Sequence, residues 1–183
     1  MATSEKNSTF GVALVLFLSG GALALPAFIG TGYHVLLGYQ YNQRFEVHLD
    51  RAVHATDVKL ASQELEIAKK WLEETKKTSG NSSVTIDIAQ NDLGYFYQNI
   101  SEATQRLNAL SAEPNSVAAS NELLKFEGSF KVKTEKGETL RQPENLEIFP
   151  NQRIWFYGGG VLWVLALIGA FLSWAGIVGI GES

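Results

Sequence analysis

Cysteine is missing from all 183 residues, which removes disulfides, thiolate metal sites and thiol nucleophiles. Histidine occurs three times, all between residues 34 and 54, so hydroxyl nucleophiles elsewhere have no imidazole base near them in sequence. Lysine and arginine are dispersed among acids, and the net charge is −4. That leaves no electrostatic footprint for nucleic acid and no polybasic patch for anionic lipid. No G-x-S-x-G elbow, phosphate loop or G-x-G-x-x-G fingerprint occurs in a strand–helix context. Catalysis, cofactor binding and nucleic-acid binding are not expected.

Charge itself is missing from both ends. No Lys, Arg, Asp or Glu occurs from Asn7 to Gln43, nor from Ile154 to Gly181. A bilayer core takes about 20 predominantly apolar residues as a helix, so each stretch is long enough to span one. The expected organisation is a tail at 1–9, a transmembrane helix at 10–32, an extramembrane helical domain at 33–153, a second transmembrane helix at 154–181, and a tail at 182–183. Lys6 before Phe10–Leu18, with Ala22-Leu23-Ala24 beyond, imitates a cleaved signal. The apolar run continues to Leu37, past a signal's core, and predicts a retained anchor. Two spans return the chain, so both termini share a side. Arg44, Arg51, Arg141 and Arg153 against Lys6 favour a cytosolic middle, but long segments largely escape that rule, and sidedness stays open.

Small residues predict packing faces in both spans: Gly20, Gly21 and Ala24 in the first, then Ala166, Gly169, Ala170, Ser173 and Gly176 in the second. Such rows let backbones approach closely in lipid. Tyr33, Tyr39 and Tyr41 on one side of the sequence, and Trp155, Phe156 and Tyr157 on the other, suit a membrane boundary. His34 beside Tyr33 reads as an interfacial, solvated group.

Between the spans, periodicity predicts two helices, about 44–78 and 84–112, paired as an antiparallel hairpin with a coiled-coil-like seam. Val58, Ala61, Leu65, Ala68 and Leu72 form one stripe; Ile86, Ala89, Leu93, Phe96, Ile100, Ala103, Leu107 and Leu110 form the other. Ser82 or Ser83 is the expected cap of the second helix. Gly80 is the expected left-handed stop of the first, with Lys76 and Lys77 at its end. The 115–150 segment is mixed, with a short helix near Ser116–Phe126 and a small β-hairpin near 130–142. The fold class is all-α and membrane-embedded.

Two clusters invite chemistry. Asp50, His54 and Asp57 fall at i, i+4 and i+7, with Glu46 extending the row, but a solvated polar face gives the same pattern and no metal site is expected. Trp71, Tyr95, Phe96 and Tyr97, beside Asn91, Gln98 and Asn99, form the richest aromatic-polar patch and are the candidate partner or ligand contacts. Leu60, Ile67 and Trp71 widen the first stripe beyond what two helices need, which favours a second copy. The expected function is a non-catalytic membrane-anchored scaffold or interaction protein. Its partners would be membrane lipid, itself, or other membrane subunits. The alternative is an accessory subunit of a larger membrane complex. The order of span, long helices and span is similar to the sensing half of bacterial transmembrane chemoreceptors, in layout alone.

Overall fold

A computed structural model describes residues 25–26, 28–135 and 137–181, with the side chains at 172–173 and from 175 onward outside that description. The chain is mostly helical with a small antiparallel two-stranded sheet. It divides into two compact units, one of Leu36–Gln152 and one joining the first 35 residues to Arg153–Ser183.

Among the described residues one helix, not two, is long and apolar enough to cross a membrane, with its qualifying stretch at Gln152–Phe171. Most of the expected first span, including Gly20, Gly21 and Ala24, lies outside the described residues. Residues 28–41 are helical (α1). In the unit that joins the first 35 residues to Arg153–Ser183, α1 meets the C-terminal helix α6, Gln152–Gly181, through aromatic rings. Tyr33 stacks on Trp155 at 5.6 Å between centroids, and Phe28 meets Trp163 edge-on at 5.1 Å. Gly30 permits this approach, because a Cβ there would lie 3.0 Å from the Trp155 ring.

The Leu36–Gln152 unit is assembled from short helices. After α1, a π-helical turn at Asn42–Glu46 leads into α2, Val47–Val53. The single helix expected over 44–78 is therefore divided: it stops at Val53, and α3 begins at Val58 and runs to Glu74. Asp57 causes the restart. Its backbone is extended and its Oδ1 accepts the Lys59 amide at 2.6 Å, satisfying a donor that the first turn leaves unpaired.

The helix expected over 84–112 begins only at Leu93 (α4, Leu93–Leu110). Asp92, rather than Ser82 or Ser83, caps it by accepting the Tyr95 amide at 3.0 Å. Residues 81–91 instead form a loop closed by the Asn81–Asp92 bridge. Ser116 caps α5, Val117–Phe130, by accepting the Ala119 amide. This helix is longer than expected and takes in Phe130, which alternation had assigned to a strand. β1 (Lys131–Thr134) and β2 (Gly137–Leu140) then pair antiparallel, Lys131 opposite Leu140 and Thr134 opposite Gly137.

The expected seams are the core. Val58, Ala61, Leu65, Ala68 and Leu72 on α3 are fully buried, as are Leu93, Ile100 and Leu107 on α4. Each large side chain so buried contributes roughly 1.5–3 kcal/mol. The core is not a two-helix seam, however. Tyr41 and Phe45 from the first helical segment, Leu49 of α2, Phe126 and Phe130 of α5, and Leu146 enter the same cluster. This wider cluster takes in Trp71 of the surplus apolar stripe, while Leu60 and Ile67 stay exposed.

The end of α3 departs from expectation. Lys76, not Gly80, takes the left-handed position, with φ 55°. The Lys77 amide donates to the Leu72 carbonyl at 2.7 Å and the Lys76 amide to the Glu73 carbonyl at 3.1 Å, the paired bonds of a Schellman stop. Gly80 still has positive φ, 99°, and serves a different purpose: the Phe149 ring lies where its Cβ would be, 2.8 Å away.

Candidate functional site

The aromatic-polar patch separates into core and surface. Trp71 is buried, 5.6 Å from Tyr41 and 5.3 Å from Phe45 between centroids. Phe96 is buried between Phe45 and Phe130. Both are largely covered by the core, and Phe96 also lines the groove beside Tyr95. Tyr97 is half-buried and donates its hydroxyl to Glu73 Oε1 at 2.6 Å, joining the end of α3 to the start of α4. That hydrogen bond holds the Tyr97 phenol above its ordinary pKa. Tyr95 remains open, 66% exposed.

Tyr95 stands on the wall of a groove of about 810 Å³ between α4, α5 and the strand-and-loop segment ending at Glu144. The Phe126 and Phe130 rings, 5.0 Å apart, and the edge of Phe96 give it an aromatic wall. Two polar side chains along it, Asn91 and Arg106, are already engaged. Asn91 donates to Ser83 Oγ at 3.1 Å and accepts the Glu144 amide at 3.0 Å. Arg106 is held by Glu122 at 2.5 Å and Glu102 at 3.6 Å. Periodicity could not reveal this groove, since its α5 and 141–144 walls are distant in sequence. Tyr95 and Asn99 were the signal that pointed to it. The arrangement can receive an apolar or aromatic side chain flanked by polar main chain. It holds no nucleophile paired with a base.

Other candidates resolve individually. Asp50, His54 and Asp57 do not share a helix face, because α2 ends before His54 and Asp57 starts α3. His54 Nδ1 turns back to Asp50 Oδ1 at 3.2 Å. Among the described residues, no group of three His, Cys, Asp or Glu side chains is placed to hold a metal ion. His48 Nδ1, absent from the expected sites, lies 2.5 Å from Glu64 Oε2 and ties α2 to α3. His34 is half-buried and meets the Trp155 ring edge-on at 6.5 Å between centroids.

Within α6, Ala166 is buried, Gly169 half-buried and Ala170 exposed. Ser173 and Gly176 fall in the part of α6 whose side chains lie outside the description. The small-residue contact that is described, Gly30 against Trp155, was not among those expected.

Among the described residues, Lys77 is the buried cation. Sequence position assigned it to the solvated end of α3, yet its Nζ donates to the Leu146 carbonyl and, at 3.0 Å, to that of Glu147. It lies 4.9 Å above the Trp71 ring. Burial lowers its pKa to about 8, against the opposing charge of Glu147. Tyr41 nearby is pushed far up by burial, with Glu46 and Glu147 adding to the effect. Together these groups fasten the 141–152 segment to the end of α3. No protein-family model, curated protein or solved structure matches the chain.

Proposed function

We propose that the protein is a non-catalytic membrane-anchored interaction protein, with spans near 10–32 and 154–181 carrying the 33–153 helical domain outside the bilayer. The carrying observation is the surface of α6. Only 6% of its apolar stretch is buried, and Val161, Val164, Leu167, Ile168 and Phe171 stand exposed on different sides. A helix apolar all round and uncovered by protein is solvated by lipid rather than water. Leu25, Phe28 and Ile29, exposed in the charge-free N-terminal stretch, support a second span beside it.

The domain would work by contact. The Tyr95 groove is the partner-facing surface, and Leu60 with Ile67, seven residues apart on the exposed side of α3, is the self-association surface. Ala170, exposed on α6, supports the second reading, an accessory subunit whose spans pack against others.

Purification in mild detergent, with the mass of the complex and its co-purifying chains measured, tests both. A homo-oligomer of fixed size supports the scaffold. Stoichiometric foreign subunits support the accessory role. A folded, monodisperse protein in detergent-free buffer overturns the membrane assignment altogether.

A further inference from the structure

The loop joining α3 to α4 holds its isoleucines away from the protein. Ile86 is 77% exposed and Ile88 is 43% exposed, although the loop's backbone is fixed. Asn81 Nδ2 donates to the Ile88 carbonyl at 2.8 Å, and Ser83 Oγ accepts the Ile88 amide at 3.3 Å. The Ser82 amide donates to the Asn91 carbonyl at 3.0 Å, closing the base. An ordered loop that exposes two β-branched apolar side chains has foregone the burial that each would otherwise gain.

The position of that base is set by Gln152. Its side-chain amide donates to the Asn81 carbonyl at 3.0 Å and to the Ser83 carbonyl at 3.4 Å. Gln152 belongs to the same compact unit as the loop and is the first residue of α6. Its neighbour Arg153 is the last charge before the uncharged run that starts at Ile154. The loop therefore springs from within one hydrogen bond of the residue where the chain passes into its apolar helix. Ser83–Gln90 contains a single charge, Asp87, so little electrostatic cost opposes contact with the headgroup region.

We infer that the 83–90 loop is a membrane-contacting wedge, with Ile86 and Ile88 inserted at the headgroup–acyl boundary of the leaflet that α6 enters. Apolar side chains on peripheral elements penetrate this layer by about 5–10 Å. The other exposed apolar pairs, Leu60 with Ile67 and Val117 with Leu124, have no comparable tie to the start of α6. This inference rests on reading α6 as a span.

Because the chain has no cysteine, single-cysteine variants of the full-length protein can be labelled at one place each. Ile86→Cys, Ile88→Cys, Leu124→Cys and Leu165→Cys would carry the polarity-sensitive dye NBD, in phosphatidylcholine nanodiscs containing lipids with a nitroxide high or low on the acyl chain. All four sites are exposed, so labelling leaves the core intact. The expected result is blue-shifted emission at 86 and 88, quenched at least twofold more by the shallow nitroxide than at 124, with iodide reaching 124 freely. Iodide access at 86 and 88 equal to that at 124, without nitroxide quenching, overturns the wedge. Shielding from iodide without nitroxide quenching also overturns it, and assigns the isoleucines to a protein contact. The Leu165→Cys label reports separately on the span: if neither nitroxide quenches it, the reading of α6 fails, not the loop alone.

Discussion

Lys77 Nζ lies 4.9 Å above the ring of Trp71, inside the aromatic cluster that closes the end of α3. The ammonium exchanges water for two main-chain carbonyls and a ring face, and this exchange has a pH signature.

Burial lowers the Lys77 pKa to about 8 from an ordinary 10.5. Below that interval both folded and unfolded chains are protonated, and the cost of burying the charge is fully present. Within it, the unfolded chain holds a proton that the folded chain has released, so stability rises with pH. The urea midpoint of the detergent-solubilised protein, followed by tryptophan fluorescence, should be higher near pH 9.5 than near pH 7, with the rise missing in Lys77→Met. Tyr41 opposes the trend above its usual range, because burial holds its proton on in the folded state.

Lys76 occupies a left-handed position that glycine takes without steric cost. Lys76→Gly should stabilise the protein by about 0.5–1 kcal/mol, the relieved Cβ clash being partly offset by a more flexible unfolded chain. Chemical denaturation at fixed pH checks this, and an unchanged or lower midpoint would contradict the stop assigned at 76.

Asp92 is the cap of α4. Asp92→Ala should cost about 1 kcal/mol. Ser82→Ala should not reproduce a capping loss, since its hydroxyl accepts no helix amide among the described residues. Comparing the two midpoints in one titration distinguishes the observed start of α4 from the earlier one that periodicity suggests.

Leu60 and Ile67 lie on one exposed strip of α3, 47% and 46% open. Paired Leu60→Glu and Ile67→Glu substitutions should dissociate a homo-oligomer while shifting the stability of each chain by no more than about 0.5 kcal/mol each, as is usual for surface changes. Mass measured in mild detergent gives the first quantity and denaturation the second. An unchanged mass removes α3 from the self-association surface.

Much of the extramembrane core was legible because burial at helical spacing writes itself into sequence. Val58, Ala61, Leu65, Ala68 and Leu72 all lie where the stripe placed them. The same rule failed at Ile86 and Ala89, which continue the α4 stripe arithmetically but sit in an exposed loop. Spacing alone does not record that Asp92 competes to begin the helix six residues after Ile86. At 54–57 the cap was again the missed signal, since Asp57 looks like one more member of a polar row. Lys77 was illegible for another reason: the carbonyls that hold it come from Leu146 and Glu147, about seventy residues away. The groove beside Tyr95 has the same non-local origin, whereas Tyr95 itself stood out as an aromatic among amides.

The π turn at Asn42–Glu46 has an evolutionary corollary. A turn that closes five residues back instead of four absorbs one surplus residue while leaving the helix on either side in phase. Excising the exposed Gln43 would restore ordinary winding and leave Tyr41 and its downstream partner Phe45 three apart, still on one side. The same excision inside α3 or α4 would swing every later side chain by roughly 100° and empty the core. Length variation between otherwise similar chains would therefore be tolerated at this bulge and purged a few residues beyond it.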